Sequence, residues 1–366
     1  MTAIINRLLD LAVQIQQIPA PTFNEKQRAE FVRGLFVKEK LSDVSIDSLN
    51  NVYGRWTTDH ERQNLPLIVS AHLDTVFPLN TSLHVTREED RVYGPGIGDN
   101  SLGIAALFGL LWMLRERNIN LPGDVWFVAN ICEEGLGDLR GMKAVTDRFG
   151  GGVQGYLVLE GTALGHVYHR AIGVRRYRVT TRTAGGHSWS DYGQPSAVHE
   201  LAHLVTQLTA LPVPSQPRTT LNVGLISGGT GVNVLASEAT LELDLRSESI
   251  TALNTLIEQV EQKIQSVNQN GVTAEMQIIG QRPAGEISVD HPLVTLAEEC
   301  LSEQGVKAVL TSGSTDANIP LSRGFPAIVL GITTGGGAHT VHEYINVEPI
   351  ASGMEQLVEF VSRVWV

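Results

Sequence analysis

Residues 65–74 read LPLIVSAHLD, an apolar run that ends in a histidine and an aspartate two residues apart. A short, nearly continuous apolar run is typical of a parallel strand that is buried on both faces. Successive side chains of a strand point to opposite faces, so His72 and Asp74 share one side if the extended geometry continues. An ordinary strand end, with a hydrogen-bonded histidine and a capping aspartate, would look the same in isolation.

Similar apolar runs recur along the chain and predict further buried strands. They are DVWFVANIC (124–132), GYLVLE (155–160), KAVLTS (307–312) and PAIVLGI (326–332). Helical patterns lie between them, at 100–117 and 291–305. Strands that alternate with helices predict an α/β fold, with a mostly parallel sheet covered by helices on both faces.

The segment 172–281 has a different pattern. Its stretches GVRRYRVTTRTA and ATLELDLRS alternate polar and apolar residues, as half-exposed strands do, and two helical segments accompany them. This order predicts a small α+β domain, ferredoxin-like, inserted into the α/β core. We therefore expect a core domain formed by residues 1–171 and 282–366, with residues 172–281 as the insertion.

Composition excludes several classes of protein. The net charge of −12 argues against binding to nucleic acid, which requires a basic surface. The first residues have a helical rhythm, without the continuous apolar core of a signal peptide or the roughly 20 apolar residues of a membrane span. Two cysteines give no disulfide framework. We expect a cytoplasmic protein that binds neither membrane nor nucleic acid.

Acidic residues and histidines follow several of the predicted core strands. They are His72 and Asp74, Glu133 and Glu134, Glu160, and His339, with Asp99 in a glycine-rich loop before a helix. Taken singly, Asp99 reads as a helix N-cap and the glutamate pair as a solvated loop. Ligands of open α/β sheets bind outside the carboxyl ends of the strands, so we expect these side chains to converge.

A cluster of carboxylates and imidazoles without interleaved lysine or arginine would repel itself strongly. A divalent cation is the simplest way to offset that charge. Nitrogen and oxygen donors suit zinc, and a shared carboxylate could hold two ions about 3.5–4 Å apart. Calcium prefers ligand sets made of oxygen alone, so the histidines argue against it.

The motifs AHLDTV, GPGIGDNSLGIAAL, CEEGLGDLRG, LEG, GSTDANI and GAHTVHEYI, in this order, resemble those of the M20 zinc metallopeptidases. The resemblance extends from TFNE at 22–25 to EYINVEP at 343–349. It implies two zinc ions per subunit, replaceable by cobalt or manganese. The implied ligands are His72, Asp99 and Glu160 for one ion, and Asp99, Glu134 and His339 for the other, with Asp99 bridging.

The resemblance also implies two catalytic roles beside the metals. Asp74 would orient the His72 imidazole through a hydrogen bond. Glu133 would be the general base, which takes a proton from a metal-activated water and passes it to the leaving amine.

Three residues of the inserted segment match the family's pattern for binding the reacting group and the substrate. His187 would donate to the developing oxyanion, and in dimeric members it reaches the partner's site. Asn233 and Arg246 would hold the substrate's carboxylate or backbone. The insertion is thus expected to be a lid and dimerisation domain of a homodimer. A hairpin-loop histidine and a surface arginine are the alternatives for His187 and Arg246.

The substrate class stays open at this stage. In the family, a glutamate at the position of Glu160 favours carboxypeptidases and N-acylamino-acid deacylases, whereas TSGSTDANIPLSRGFPAIVLG resembles the tripeptidase T-like members. We expect hydrolysis of small peptides, by a dipeptidase, tripeptidase or carboxypeptidase, with cleavage of an N-acylated amino acid as the alternative. A non-catalytic, metal-binding dimer is the remaining possibility, although every expected catalytic residue is present.

Overall fold

The computed structural model describes residues 2–57, 64–269 and 271–365. Its contacts divide the chain into two compact units, Met1–Ala171 with Glu286–Val366, and Ile172–Gly285. The expectation that residues 172–281 form a lid and dimerisation domain stays a prediction.

The helices and strands are numbered in chain order. The helices are α1 (Thr2–Gln16), α2 (Lys26–Lys38), α3 (Gly103–Glu116), α4 (Arg140–Phe149), α5 (Ala197–Thr209), α6 (Ile250–Ser266), α7 (Pro292–Glu303), α8 (Asn318–Ser322) and α9 (Ile350–Arg363). The strands are β1 (Ser42–Ile46), β2 (Val52–Trp56), β3 (Leu67–His72), β4 (Thr86–Arg87), β5 (Arg91–Tyr93), β6 (Val125–Asn130), β7 (Gly155–Glu160), β8 (His166–Ala171), β9 (Gly173–Arg182), β10 (Gly186–His187), β11 (Thr219–Gly228), β12 (Val234–Leu235), β13 (Glu238–Ser247), β14 (Thr273–Arg282), β15 (Gly285–Glu286), β16 (Val309–Gly313), β17 (Ala327–Gly331), β18 (Gly335–Gly336) and β19 (Tyr344–Asn346).

Among the described residues, the core sheet has nine strands in the order β1-β2-β6-β3-β7-β17-β8-β15, with β16 also paired to β8. Its central strands β6, β3, β7 and β17 are mutually parallel. Their carboxyl ends therefore lie at one edge of the sheet. This arrangement confirms the predicted α/β fold with a mostly parallel sheet.

Helices cover both faces of this sheet because the strand side chains alternate. Along β3, Leu67 and Val69 join an apolar cluster that includes residues of α1, α3, α7 and α9. Ile68 points the other way and joins a second cluster, to which α4 and α8 contribute. The continuous apolar run at 65–70 is thus explained by burial on both faces.

Two edge features differ from the sequence expectation. The run 307–312 was expected to be a buried strand, but β16 lies at the margin of the sheet and is largely half-buried. Its neighbour β8, with the sequence HVYHRA, was not foreseen as a core strand. Its residues alternate between half-buried and buried, and it runs antiparallel to β17, so it lacks the continuous apolar pattern of a strand buried on both faces.

The central helix α3 follows an irregular helical segment, Ile97–Leu102, in which Asp99 and Asn100 leave helical dihedrals. Together these residues are long and apolar enough, by length and composition, to cross a membrane. However, 94% of its most apolar 18-residue stretch is buried inside the protein. Its hydrophobicity is therefore accounted for by packing against the sheet and the neighbouring helices.

The second unit contains an antiparallel sheet in the order β11-β13-β9-β14. Helices α5 and α6 pack on one side of it, through a separate apolar cluster that includes Leu201, Leu204, Leu256 and Val260. This order of strands and helices is the α+β pattern expected from the alternating sequence.

A pair of helical glycines tests the packing of the core. A Cβ at Gly353, in α9, would overlap the carbonyl oxygen of Ile332, whereas a Cβ at Gly34, in α2, would meet nothing within 4 Å. We expect Gly34→Ala to raise the free energy of unfolding by about 0.5–1 kcal/mol through helix propensity, and Gly353→Ala to lower it. Urea denaturation of both variants beside the wild type checks this, and stabilisation by Gly353→Ala would contradict the close packing.

Candidate metal centre

The end of β3 supplies a buried imidazole and a buried carboxylate. His72 is 2% exposed and Asp74 is fully buried. The Nδ1 atom of His72 lies 3.0 Å from the main-chain oxygen of Asp74, and 3.6 Å from its carboxylate Oδ1. The Nε2 atom, on the other side of the ring, lies 3.0 Å from Oδ1 of Asp99. The imidazole is therefore held from behind while Nε2 faces the acidic cluster.

The carboxylate of Asp74 mainly accepts hydrogen bonds from the loop after β6. The amide N–H groups of Glu133 and Glu134 donate to its two oxygens, each at 2.9 Å. The Thr22 hydroxyl also donates to it, at 2.9 Å. Burial alone would raise the pKa of Asp74, but its contact with His72 and these N–H groups lower it. Asp74 thus orients the glutamate pair as well as His72.

Asp99 lies between the two histidines. Its Oδ1 faces His72, as described, and its Oδ2 lies 3.0 Å from Nε2 of His339. The same His339 nitrogen lies 3.2 Å from Oε1 of Glu134. Burial favours the protonated form of Asp99, but hydrogen bonds to His339 and His72 hold its pKa far below the ordinary value. One carboxylate therefore faces both imidazoles, and its predicted role as a bridging ligand stays a prediction.

Glu160, the last residue of β7, completes the cluster. Its Oε2 lies 3.8 Å from Nε2 of His72. Burial raises the pKa of Glu160 well above its ordinary value, and the negative charges of Asp99, Glu133 and Asp316 add to this effect. Buried like charges of this kind are costly unless a cation offsets them.

The donor set fits divalent metal ions. One ligand atom from each of His72, Asp99 and Glu134 can be chosen so that all lie within 4.8 Å of one another. Two imidazole nitrogens and several carboxylate oxygens are the donors that zinc and similar ions prefer. Such ions would offset the burial and, after it, the neighbouring negative charges that raise the pKa of Glu160.

The three other predicted site residues lie in the second unit. His187 in β10 pairs with Val234 of β12, and the main-chain oxygen of Asn233 accepts a hydrogen bond from Ser188, so His187 and Asn233 are neighbours. Arg246 lies in β13 and donates to the carboxylate of Asp244 at 2.6 Å. The catalytic and substrate-binding roles of these residues stay predictions.

Two buried carboxylates were missed by the sequence reasoning. Glu25 accepts a hydrogen bond from the amide of Cys132, the residue before Glu133, at 3.2 Å. Glu343 accepts from three amides of the loop that carries Asp99. Their positions in the sequence were the signal that could have drawn attention to them. Glu25 belongs to the TFNE motif, and Glu343 follows His339 by four residues.

A parallel sheet whose carboxyl edge brings imidazoles and carboxylates together in this way is typical of the metal-dependent hydrolases. The chain belongs to Peptidase family M20/M25/M40, whose model matches residues 68–363. The resemblance inferred from the motifs is thereby confirmed, and with it the assignment of the protein as a hydrolase.

Similar proteins differ in what they act on. Succinyl-diaminopimelate desuccinylase of Corynebacterium glutamicum is 24% identical over 363 residues, which cover 96% of this chain and 95% of that protein. A tripeptidase of Staphylococcus aureus is 22% identical with a TM-score of 0.86, over 98% of both chains. The YXEP protein of Bacillus subtilis, a dinuclear metal-binding peptidase, is 16% identical with a TM-score of 0.71, over 99% of this chain and 98% of that one. The two structures share the fold of this chain.

The contacts of His339 predict that the stability of the protein, once metal is removed by a chelator, depends on pH. Hydrogen bonds to Asp99 and Glu134 raise the pKa of His339 from 6.5 to about 10. A pKa that is higher in the folded state stabilises the protein below the unfolded value, and this gain is lost as the pH rises through the folded value. In chelator, the unfolding temperature of the wild type should therefore fall more steeply from about pH 7 to 10 than that of His339→Gln. Parallel profiles for the two proteins would contradict the prediction.

Proposed function

We propose that this hydrolase cleaves the amide bonds of small peptides with the help of two bound metal ions. The observation that carries the proposal is the meeting of five potential ligands at the carboxyl edge of the core sheet, directly beside Glu133. These ligands are His72, Asp99, Glu134, Glu160 and His339.

The five side chains divide into two sets. His72 and Glu160, with one oxygen of Asp99, would hold one ion, and His339 and Glu134, with the other oxygen, would hold the second. Zinc is the proposed metal because the donors are nitrogen and oxygen, and cobalt or manganese could replace it. When bound, such ions polarise the scissile carbonyl group and acidify a water molecule.

Glu133 is the proposed general base. It lies next to the ligand Glu134, and its amide is fixed by Asp74. Its carboxylate takes the proton of the attacking water and then delivers it to the nitrogen of the leaving amine, so that the product leaves as a neutral amine. Glu133 is buried, which places this proton transfer in a site of low dielectric constant.

The second unit supplies the remaining groups in this proposal. His187 donates to the oxyanion that forms on the substrate carbonyl, and Asn233 and Arg246 hold the substrate's carboxylate or backbone. As in dimeric members of the family, the protein would act as a homodimer. Both cysteines are buried free thiols, which fits the proposed cytoplasmic location.

A second candidate is hydrolysis of an N-acylated amino acid. Two observations favour it: strand β7 ends in a glutamate, Glu160, and the similarity to a desuccinylase covers almost the whole chain. Both reactions break an amide bond, so the same metals and the same Glu133 would serve either substrate.

The neighbouring glutamates provide a matched pair of variants. Glu133→Gln should lower kcat by about 10²- to 10⁴-fold because the base is lost, while two metal ions still bind. Glu134→Gln should instead weaken the binding of one ion, because a ligand is lost. Metal analysis after dialysis, together with rate measurements, separates the two effects. Full activity of Glu133→Gln would reject its role as the base.

The substrate class is decided by a small set of compounds assayed with zinc and with chelator. We expect release of amino acids from unblocked tripeptides and dipeptides, and no activity in chelator. Cleavage of N-succinyl- or N-acetyl-amino acids alone would establish the second candidate. Metal binding without hydrolysis of any compound would favour a non-catalytic role.

A further inference from the structure

The carboxylate of Glu343 occupies a pocket of main-chain amides. It is 1% exposed. Its Oε2 accepts a hydrogen bond from Gly96 at 2.7 Å, and its Oε1 accepts from Gly98 at 2.8 Å and from Asp99 at 2.7 Å. Three amides of one loop that converge on one charged group form a strong anion-binding arrangement.

Two glycines let the loop approach the carboxylate of Glu343 closely. Gly96 has a φ of +73°, a conformation that favours glycine. A Cβ at Gly98 would lie 3.1 Å from Oε1 of Glu343 and would overlap the Thr162 methyl group. The backbone can therefore approach the carboxylate only because these two positions are glycine.

The main chain of Glu343 fixes the other half of the contact. Its carbonyl oxygen accepts a hydrogen bond from Gly94 at 2.9 Å, next to the pairing of β19 with β5. Its amide donates to Thr340 at 3.2 Å, within the turn that carries His339. His339 has a φ of +65° and its side chain is 56% exposed, so few packing contacts hold it in place.

We propose that Glu343 is a positioning residue, which holds Asp99 and His339 in register so that both side chains face the second proposed metal ion. Its side chain binds the Asp99 loop and its main chain anchors the His339 turn, and the two ligand side chains meet at 3.0 Å. The inference rests on the proposed function, because it takes both residues as ligands.

Glutamine is the sharpest replacement because it keeps the shape of the side chain. Its single amide oxygen can serve Gly98 and Asp99, but its NH₂ group would then face the N–H of Gly96, donor against donor. Glu343→Asp keeps the charge but is one methylene shorter, so it cannot reach all three amides. Glu348→Gln removes the same charge from an exposed position five residues later and is the control.

The test titrates the chelator-treated full-length proteins with cobalt and follows both calorimetry and the visible spectrum. The wild type and Glu348→Gln should bind two ions with the same affinities. We expect Glu343→Gln to bind at least one ion about 10- to 100-fold more weakly, with an altered spectrum, and Glu343→Asp to show a smaller loss.

Several outcomes would overturn the inference. A folded Glu343→Gln or Glu343→Asp variant with wild-type affinities and spectrum would show that the contact supports the fold alone. Failure of both variants to fold without metal would make Glu343 a folding requirement and not a positioning residue. A wild-type protein that binds no cobalt would overturn the proposed metal centre itself, and this inference with it.

Discussion

The hydrogen bonds to the buried carboxylate of Asp74 are the contact on which the site depends. They join the end of β3 to the amides of Glu133 and Glu134, and the Thr22 hydroxyl adds the N-terminal segment. Without the carboxylate, these buried amides would lose their acceptor, at a cost of about 1–3 kcal/mol for each unsatisfied group. One acidic side chain therefore determines where the proposed base and a proposed ligand lie relative to His72.

Other buried carboxylates near the site also accept hydrogen bonds from main-chain amides. Glu25 accepts from the amide of Cys132, and Glu343 accepts from the Asp99 loop, so buried carboxylates fix the backbones that carry the functional side chains. This adds negative charge to an acidic region. The positive charge of Arg28 offsets part of this negative charge. Burial lowers the pKa of Arg28 to about 10, while the charges of Asp74 and Glu25 act to raise it. Its N–H groups are directed at the main-chain oxygens of Ile18 and Leu73, so the charge around Glu160 would be offset by the proposed metal ions.

The core strands could be predicted because their burial leaves a local pattern in the sequence. Strands β3, β6, β7 and β17 were predicted because burial on both faces leaves a continuous apolar run. Most of the proposed metal ligands were chosen because they follow those runs, and their roles stay predictions. The amide of Cys132 that donates to Glu25 lies 107 residues away, and the amides that donate to Glu343 lie 244–247 residues away. Main-chain amides carry no sequence signal. The margin of the sheet was misjudged for a related reason, because half-buried strands such as β8 and β16 show no continuous apolar pattern.

The two proposed metal positions are chemically alike but differ in their surroundings. Each has one imidazole, one glutamate and one oxygen of Asp99. His72 is buried and is held from behind by Asp74, whereas His339 is exposed and lies on a turn in the left-handed region of φ. Water and chelators can therefore reach the His339 position more easily, and its geometry depends more on the hydrogen bonds that hold its turn. This asymmetry is the physical reason that a carboxylate with no direct role in the chemistry, Glu343, would be needed beside one half of the site.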